Sequence, residues 1–202
     1  DWILRTACEQ AALWQREGIA HMPVAVNLSA RQFLQPDLVA RVAEIVRATA
    51  LDPHLLELEL TESLSMDSPE KSIAVLTALK AIGLTLTIDD FGTGYSNLGY
   101  LKRFPLDKLK LDQSFVRDMT LSSEALAIAQ AIITLAHGLH LTVVAEGVET
   151  AEQLALLTRQ GCDEMQGYFF SKPLPVDLCT ALLHSGKGLP VATPECQSPI
   201  VI

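Results

Sequence analysis

The sequence predicts an α/β fold of the TIM-type (β/α)8 class, on three observations. Strand-like and helix-like segments alternate six times along the 202 residues. The helical segments open on capping residues and several stop at glycines. Each strand-like run carries a polar or charged side chain at or near its end. Such alternation means parallel strands joined by right-handed crossovers, and sheets of this kind bind ligands at the carboxyl ends of their strands. A closed barrel needs eight strands. The chain is therefore expected to form an incomplete barrel of about six βα units, with the first strands missing ahead of Asp1. An open sheet is the structural alternative, at the cost of a long exposed apolar edge.

The elements follow in order. Asp1 to Glu17 reads as a helix, with Ile3, Leu4, Ala7, Ala11 and Trp14 near helical spacing and Gly18 at its end. Val24 to Ser29 is the first strand and places Asn27 near its end. A helix is expected from about Pro36 to Ala48, with Leu38, Val42, Ile45 and Val46 along one face. In the strand Leu55 to Ser63, Glu57 and Glu59 alternate with leucines, which sets an acid row inward and an apolar row toward the helices. Asp67 and Glu70 resemble a capping box with Pro69 at the first helical position, and that helix continues to Gly83. A strand from Thr85 to Ile88 comes next and ends in Asp89 and Asp90.

Leu106 to Phe115 reads as another strand, with Lys110 and Asp112 alternating against Leu109 and Leu111. Its helix spans roughly Ser123 to His137 and stops at Gly138. Leu141 to Glu149 is a strand closed by Glu146, and Thr150 with Gln153 forms a capping box for a helix ending at Gly161. Glu164 to Phe170 is the last strand, containing Gln166, and a final helix runs from about Pro175 to Leu183. The domain is expected over 1–184 and a C-terminal tail over 185–202. The first strands themselves, a neighbouring chain or the PIVI end of that tail would cover the open side between the Val24 and Glu164 strands.

Asp89 and Asp90 together form the clearest chemical signal. Two acids at the mouth of an apolar strand repel each other and are costly to desolvate unless a cation joins them. Hard divalent cations take oxygen ligands and meet that need. A helix cap or a solvated turn would also account for this pair alone. With Asn27, Glu59, Lys110, Glu146 and Gln166 at the other strand ends, caps no longer suffice, and a metal-dependent site on one barrel face is the favoured reading.

Composition narrows the classes. A hydrophobic content of 49% fits a well-packed core, and no apolar run reaches membrane-spanning length. The first residues resemble neither a signal nor a transit peptide. A formal net charge of -9 argues against nucleic-acid polymers and acidic lipid as partners, though a metal could still admit an anionic substrate. Cys8, Cys162, Cys179 and Cys196 show no zinc-ligand spacing, which points to a reduced, cytoplasmic compartment.

Several long stretches carry a resemblance: VNLSARQF at 26–33, ELTES at 59–63, DDFGTGYSNLGYL at 89–101, LKLDQSFV at 109–116, VVAEGVET at 143–150 and GCDEMQGYFFSKPL at 161–174. With the leading WILRTACEQAALW, they resemble the EAL family of cyclic di-GMP phosphodiesterases from residue 1 to about residue 184. The resemblance implies an EAL barrel that hydrolyses one phosphodiester bond of cyclic di-GMP to give linear pGpG. It implies Asn27, Glu59, Asp89, Asp90 and Glu146 as ligands of a Mg2+ or Mn2+ pair, with Ca2+ inhibitory. Lys110 and Glu146 take the catalytic roles on the attacking water, and Asp112 and Gln166 meet the substrate.

The same resemblance makes Glu62 and Glu149 acids that support the ligand set, one of them bracing the loop containing Phe91, Gly92, Thr93, Gly94 and Ser96, an element that couples dimerisation to metal binding. It further implies a homodimer in a cytoplasmic domain without membrane contact of its own. The parent protein is expected to carry sensory or GGDEF domains and, in some arrangements, a membrane anchor. One feature departs from the pattern. The strand-borne Glu-Ala-Leu tripeptide that names the family, with a neighbouring substrate-binding arginine, belongs ahead of Asp1, so the chain alone is expected to bind metal weakly and turn over slowly. A cyclic di-GMP receptor that does not cleave, and a purely structural dimerisation unit, are the competing classes.

Overall fold

The computed structural model describes residues 1–19, 22–61, 69–92 and 98–185. The Asp67 capping box, Glu62, Thr93, Gly94, Ser96, Cys196 and the tail beyond Ser185 lie outside them. The six strands form one sheet in chain order, β1-β2-β3-β4-β5-β6. The described residues divide into two compact units, one ending at Asp89 and taking in residues 98–107, the other holding residues 90–92 and 108–185.

In the first unit, α1 (Trp2–Arg16) buries Leu4, Cys8, Ala11 and Ala12, a stripe at helical spacing. β1 (Val24–Leu28) stops at Ser29, which forms a capping box with Gln32 and starts the short α2 (Ala30–Phe33). α3 (Leu38–Thr49) follows. A 3-10 turn at Pro53–Leu55 then leads into β2 (Leu56–Thr61). α4 (Pro69–Ile82), β3 (Thr85–Phe91) and α5 (Leu98–Leu101) complete the order. β1, β2 and β3 are parallel, with Asn27 opposite Glu59, Glu59 opposite Thr87 and Thr61 opposite Asp89.

This register sorts the side chains. Val26, Leu28, Leu56, Leu58, Leu60 and Leu86 join Leu4, Val42, Ile45, Leu76 and Leu79 in one core, each worth roughly 1.5–3 kcal/mol when fully buried. Alternate positions carry Asn27, Glu57, Glu59, Thr87 and Asp89. That polar row was expected, and much of it is itself buried: Glu59 is 7% exposed and Asp89 8%. Glu57 accepts a 2.6 Å hydrogen bond from the Thr87 hydroxyl, so these two buried side chains satisfy each other, as burial requires.

The second unit runs β4 (Lys108–Leu111), α6 (Gln113–Asp118), α7 (Ser123–Gly138), β5 (Thr142–Ala145), α8 (Ala151–Arg159), β6 (Glu164–Met165) and α9 (Val176–His184). β4, β5 and β6 pair in parallel. The capping box at Thr150 and Gln153 forms as expected. Three strands are shorter than their sequences suggest. The Leu106–Phe115 segment holds only four strand residues, because Asp112 caps α6 and turns the chain into a helix. The Leu141–Glu149 strand ends at Ala145. The Glu164–Phe170 segment pairs over two residues and then turns, with the Phe169 amide donating to Val148 and the Phe170 amide to Gly167.

One device appears in both units. Asp107, just ahead of β4, accepts from the Leu86 amide and from Lys80 in the last turn of α4, all at 2.8 Å. Asp163, just ahead of β6, accepts from the Val143 amide at 2.7 Å and contacts His137 Nε2, in the last turn of α7, at 2.9 Å. Each aspartate ties the start of a strand to the end of the helix before it. The half-exposed His137 contact adds little, whereas an unpaired buried amide costs about 1–3 kcal/mol. Asp163→Ala is therefore expected to lower unfolding free energy in urea by about that amount. Asp163→Asn, which keeps an acceptor for Val143, should lose well under half of it.

Candidate active site

Glu146 is the centre of the second unit's polar cluster. It follows β5 directly, and its amide donates to the Leu111 carbonyl at 3.1 Å, which fixes the backbone beside β4. Lys110, on β4 and only 4% exposed, brings Nζ to 2.5 Å from Glu146 Oε1. Gln166 donates from Nε2 to the same oxygen at 2.8 Å, and its own amide donates to Ala145 at 2.9 Å. One carboxylate is thus held by an ammonium and an amide from the two flanking strands.

Asp90 brings its carboxylate to within 4.8 Å of that of Glu146. Strict alternation after Asp89 would send Asp90 to the opposite face. Its backbone instead takes the left-handed region, φ 55°, which a non-glycine residue adopts at a cost of about 1–2 kcal/mol and which aspartate tolerates better than most. Two carboxylates this close repel. An all-oxygen set of this kind suits a hard divalent cation and not zinc. The thiols do not compete for the role: burial pushes Cys8 up to about 11 and Cys162 up to about 12, far from the thiolate that binds metal.

The first unit sets Asn27 and Glu59 side by side on β1 and β2, with Asp89 ending the described part of its polar row. Asn27 is exposed and lines a cavity of about 310 Å3 with Leu28, Gln32 and Arg41. The remaining expected residues are placed differently. Asp112 is half-buried as the cap of α6, accepting from the Ser114 amide at 2.9 Å and from the Ser114 hydroxyl. Glu149 is exposed, and its amide donates to Gln153 ahead of α8. Phe91 is buried.

Gly92 has φ 95°, and a Cβ there would stand 2.9 Å from the Phe115 ring, so close packing constrains this position. The sequence does contain Glu-Ala-Leu, at 124–126, but on the exposed first turn of α7, where Glu124 accepts from the Ser122 hydroxyl and its carboxyl falls below the usual range for that reason first. That tripeptide is a helix start and not the strand motif.

The sequence profile of the EAL domain matches residues 1–173. The chain belongs to the EAL domain family. It is 47% identical over 176 residues to the cyclic di-GMP phosphodiesterase NbdA of Pseudomonas aeruginosa, covering 87% of this chain and 22% of NbdA. Among solved structures it resembles the MucR phosphodiesterase of the same organism in complex with c-di-GMP, with a TM-score of 0.85, 44% identity, and coverage of 88% of this chain and 72% of the other. It also resembles a manganese and cyclic di-GMP complex of BlrP1 from Klebsiella pneumoniae, with a TM-score of 0.74, 36% identity, and coverage of 84% and 44%. The chain spans only about a quarter of the length of the curated relatives it matches, 22% to 27% in eight of them. The likeness to EAL domains identifies the six-stranded α/β architecture as part of a TIM-like barrel.

Sequence reasoning missed two features of this EAL site. One is the buried Lys108–Glu164 pair beside it, for which the KLKL alternation gave half of the signal. The other is Gly167, φ 154°, where a Cβ would fall 2.2 Å from the Val148 carbonyl oxygen and 2.3 Å from its nitrogen. Gly167→Ala should displace the Gln166 turn and destabilise the chain by about 3 kcal/mol or more. Gly138→Ala, where nothing lies within 4 Å, should be neutral or stabilising by up to about 1 kcal/mol. Paired denaturant titrations of the two variants check both values.

Proposed function

We propose that this chain forms the catalytic body of a metal-dependent cyclic di-GMP phosphodiesterase that opens one phosphodiester bond to yield pGpG. The observation that carries this reading is the Glu146 carboxylate, gripped by Lys110 and Gln166 and set against a second acid, Asp90, in an all-oxygen environment. The names of NbdA and MucR and the nucleotide complexes support it. Asn27, Glu59, Asp89, Asp90 and Glu146 would hold the ions, Mg2+ or Mn2+. When bound, such a pair neutralises phosphate oxygens and lowers the pKa of a coordinated water.

The chain's own groups do the rest. Lys110 orients the attacking water or a phosphate oxygen with its ammonium, and Glu146 keeps that ammonium in place. Gln166 holds Glu146 from the other side and lines the substrate site. Asp112, at the start of α6, is assigned to the guanine end. Glu62 and Glu149 support the ligand set, one of them bracing the loop from Phe91 to Ser96, through which a homodimer would influence metal binding. The setting is cytoplasmic, as part of a larger signalling protein with sensory or GGDEF domains. Ca2+, larger and less strict in geometry than Mg2+, would occupy the site and inhibit.

The test uses the full-length protein and follows cyclic di-GMP and pGpG by chromatography with each ion. Turnover with Mg2+ or Mn2+ and little with Ca2+ is expected. Binding without pGpG under every ion would make the domain a receptor instead. Glu146→Gln and Lys110→Ala should each cut kcat by about 100-fold or more. Nucleotide affinity measured in Ca2+ should change by less than about tenfold, since these groups act on the water and not on the bases.

A further inference from the structure

Lys110 is not the only ammonium inside the second unit. Lys108 lies two residues earlier on the same face of β4, and its Nζ is 2.7 Å from Glu164 Oε2, with side chains 13% and 9% exposed. The register makes the two pairs a ladder. Lys108 is level with Thr142, and Lys110 is level with Val144, which in turn is level with Glu164. Each lysine therefore reaches one step toward the carboxyl ends of the strands, Lys108 to Glu164 and Lys110 to Glu146. Glu164 stands level with Lys110, two strand spacings or on the order of 10 Å away at the backbone. That is within the combined reach of a lysine and a glutamate side chain.

We infer that the Lys108–Glu164 pair is a positioning device: Lys108 occupies Glu164 so that Lys110 stays committed to Glu146. A buried carboxylate that loses its cation draws the nearest one available, because the unpaired charge is far costlier inside than in water. Among the described residues, the register sets the ammonium-bearing Lys110 level with Glu164. The pull would take the ammonium down and away from Glu146. The consequence for turnover rests on the phosphodiesterase reading, whereas the consequence for the position of Lys110 does not.

The device predicts an asymmetry that simple stabilisation does not. Lys108→Met strands Glu164 and should lower kcat by about tenfold or more, with KM and the stoichiometry of nucleotide bound in Ca2+ unchanged. Glu164→Gln removes the rival carboxylate, and Lys108 itself is too far down the strand to reach Glu146, so kcat should stay within about threefold of the parent. The double variant should recover to the same level. A crystal structure of Lys108→Met should show Lys110 Nζ on Glu164.

If Lys110 remains on Glu146 there, or if both single variants lose activity alike, the inference is overturned. If the parent shows no turnover at all, the phosphodiesterase reading fails, and the position of Lys110 in the variant still decides this one. Should Lys108→Met not yield folded protein, Lys108→Gln leaves a neutral donor on Glu164 without the charge, and the same readings apply.

Discussion

A lysine ammonium that is 4% exposed has given up its hydration and must have an anion in contact. Lys110 has no way out of this position. Its neighbours Leu109 and Leu111 are fully buried in the apolar layer, so alternation leaves the lysines of β4 the opposite face. Glu146 meets that requirement at 2.5 Å, and it can do so only because Leu111 is aligned with Ala145. A slip of one residue between β4 and β5 would drive both lysines into the leucine layer. The register is therefore held twice, by apolar burial on one face and by charge on the other.

The same economy of position explains where the backbone is strained. Ile88 and Asp89 follow the alternation of β3, but a second acid on the polar side requires a break, and Asp90 makes it with a left-handed backbone. Two residues later Gly92 passes so close to Phe115 that a methyl group has no room. Departures from ordinary backbone persist only where surrounding structure enforces them, and they gather at functional sites. At Gly92 the end of β3 is thus fixed by packing.

What the sequence made legible was local. The element order, the Thr150–Gln153 capping box, and the alternation that sets Glu57 and Glu59 against the leucines of β2 and Lys110 against those of β4 all follow from short-range periodicity and caps. Strand ends were harder, because the residue that stops a strand often does so by starting something else. Asp112 alternates correctly for a strand and yet caps α6. Asp89 and Asp90 look like a strand's end, but β3 continues to Phe91. Contacts across long separations were invisible. Lys108 reads as an inward lysine, but nothing near it in sequence points to Glu164, which lies 56 residues away. The literal Glu-Ala-Leu at 124–126 shows the converse: a motif without its strand carries no chemistry.

Stability and chemistry also separate along the strand axis. Asp107 and Asp163 fasten the starts of β3 and β5 to the preceding helices, and their partners Lys80 and His137 lie in last turns, where positive charge complements the helix dipole. In the second unit Lys110 and Glu146 stand toward the other end of their strands, where parallel α/β folds generally bind ligands. The Lys108–Glu164 pair opens β4 and β6, largely buried like a structural element yet on the same face as Lys110. A charge pair at that depth stabilises little compared with apolar residues of the same volume. Its placement is better explained by what it does to the lysine one step above it than by the stability it adds.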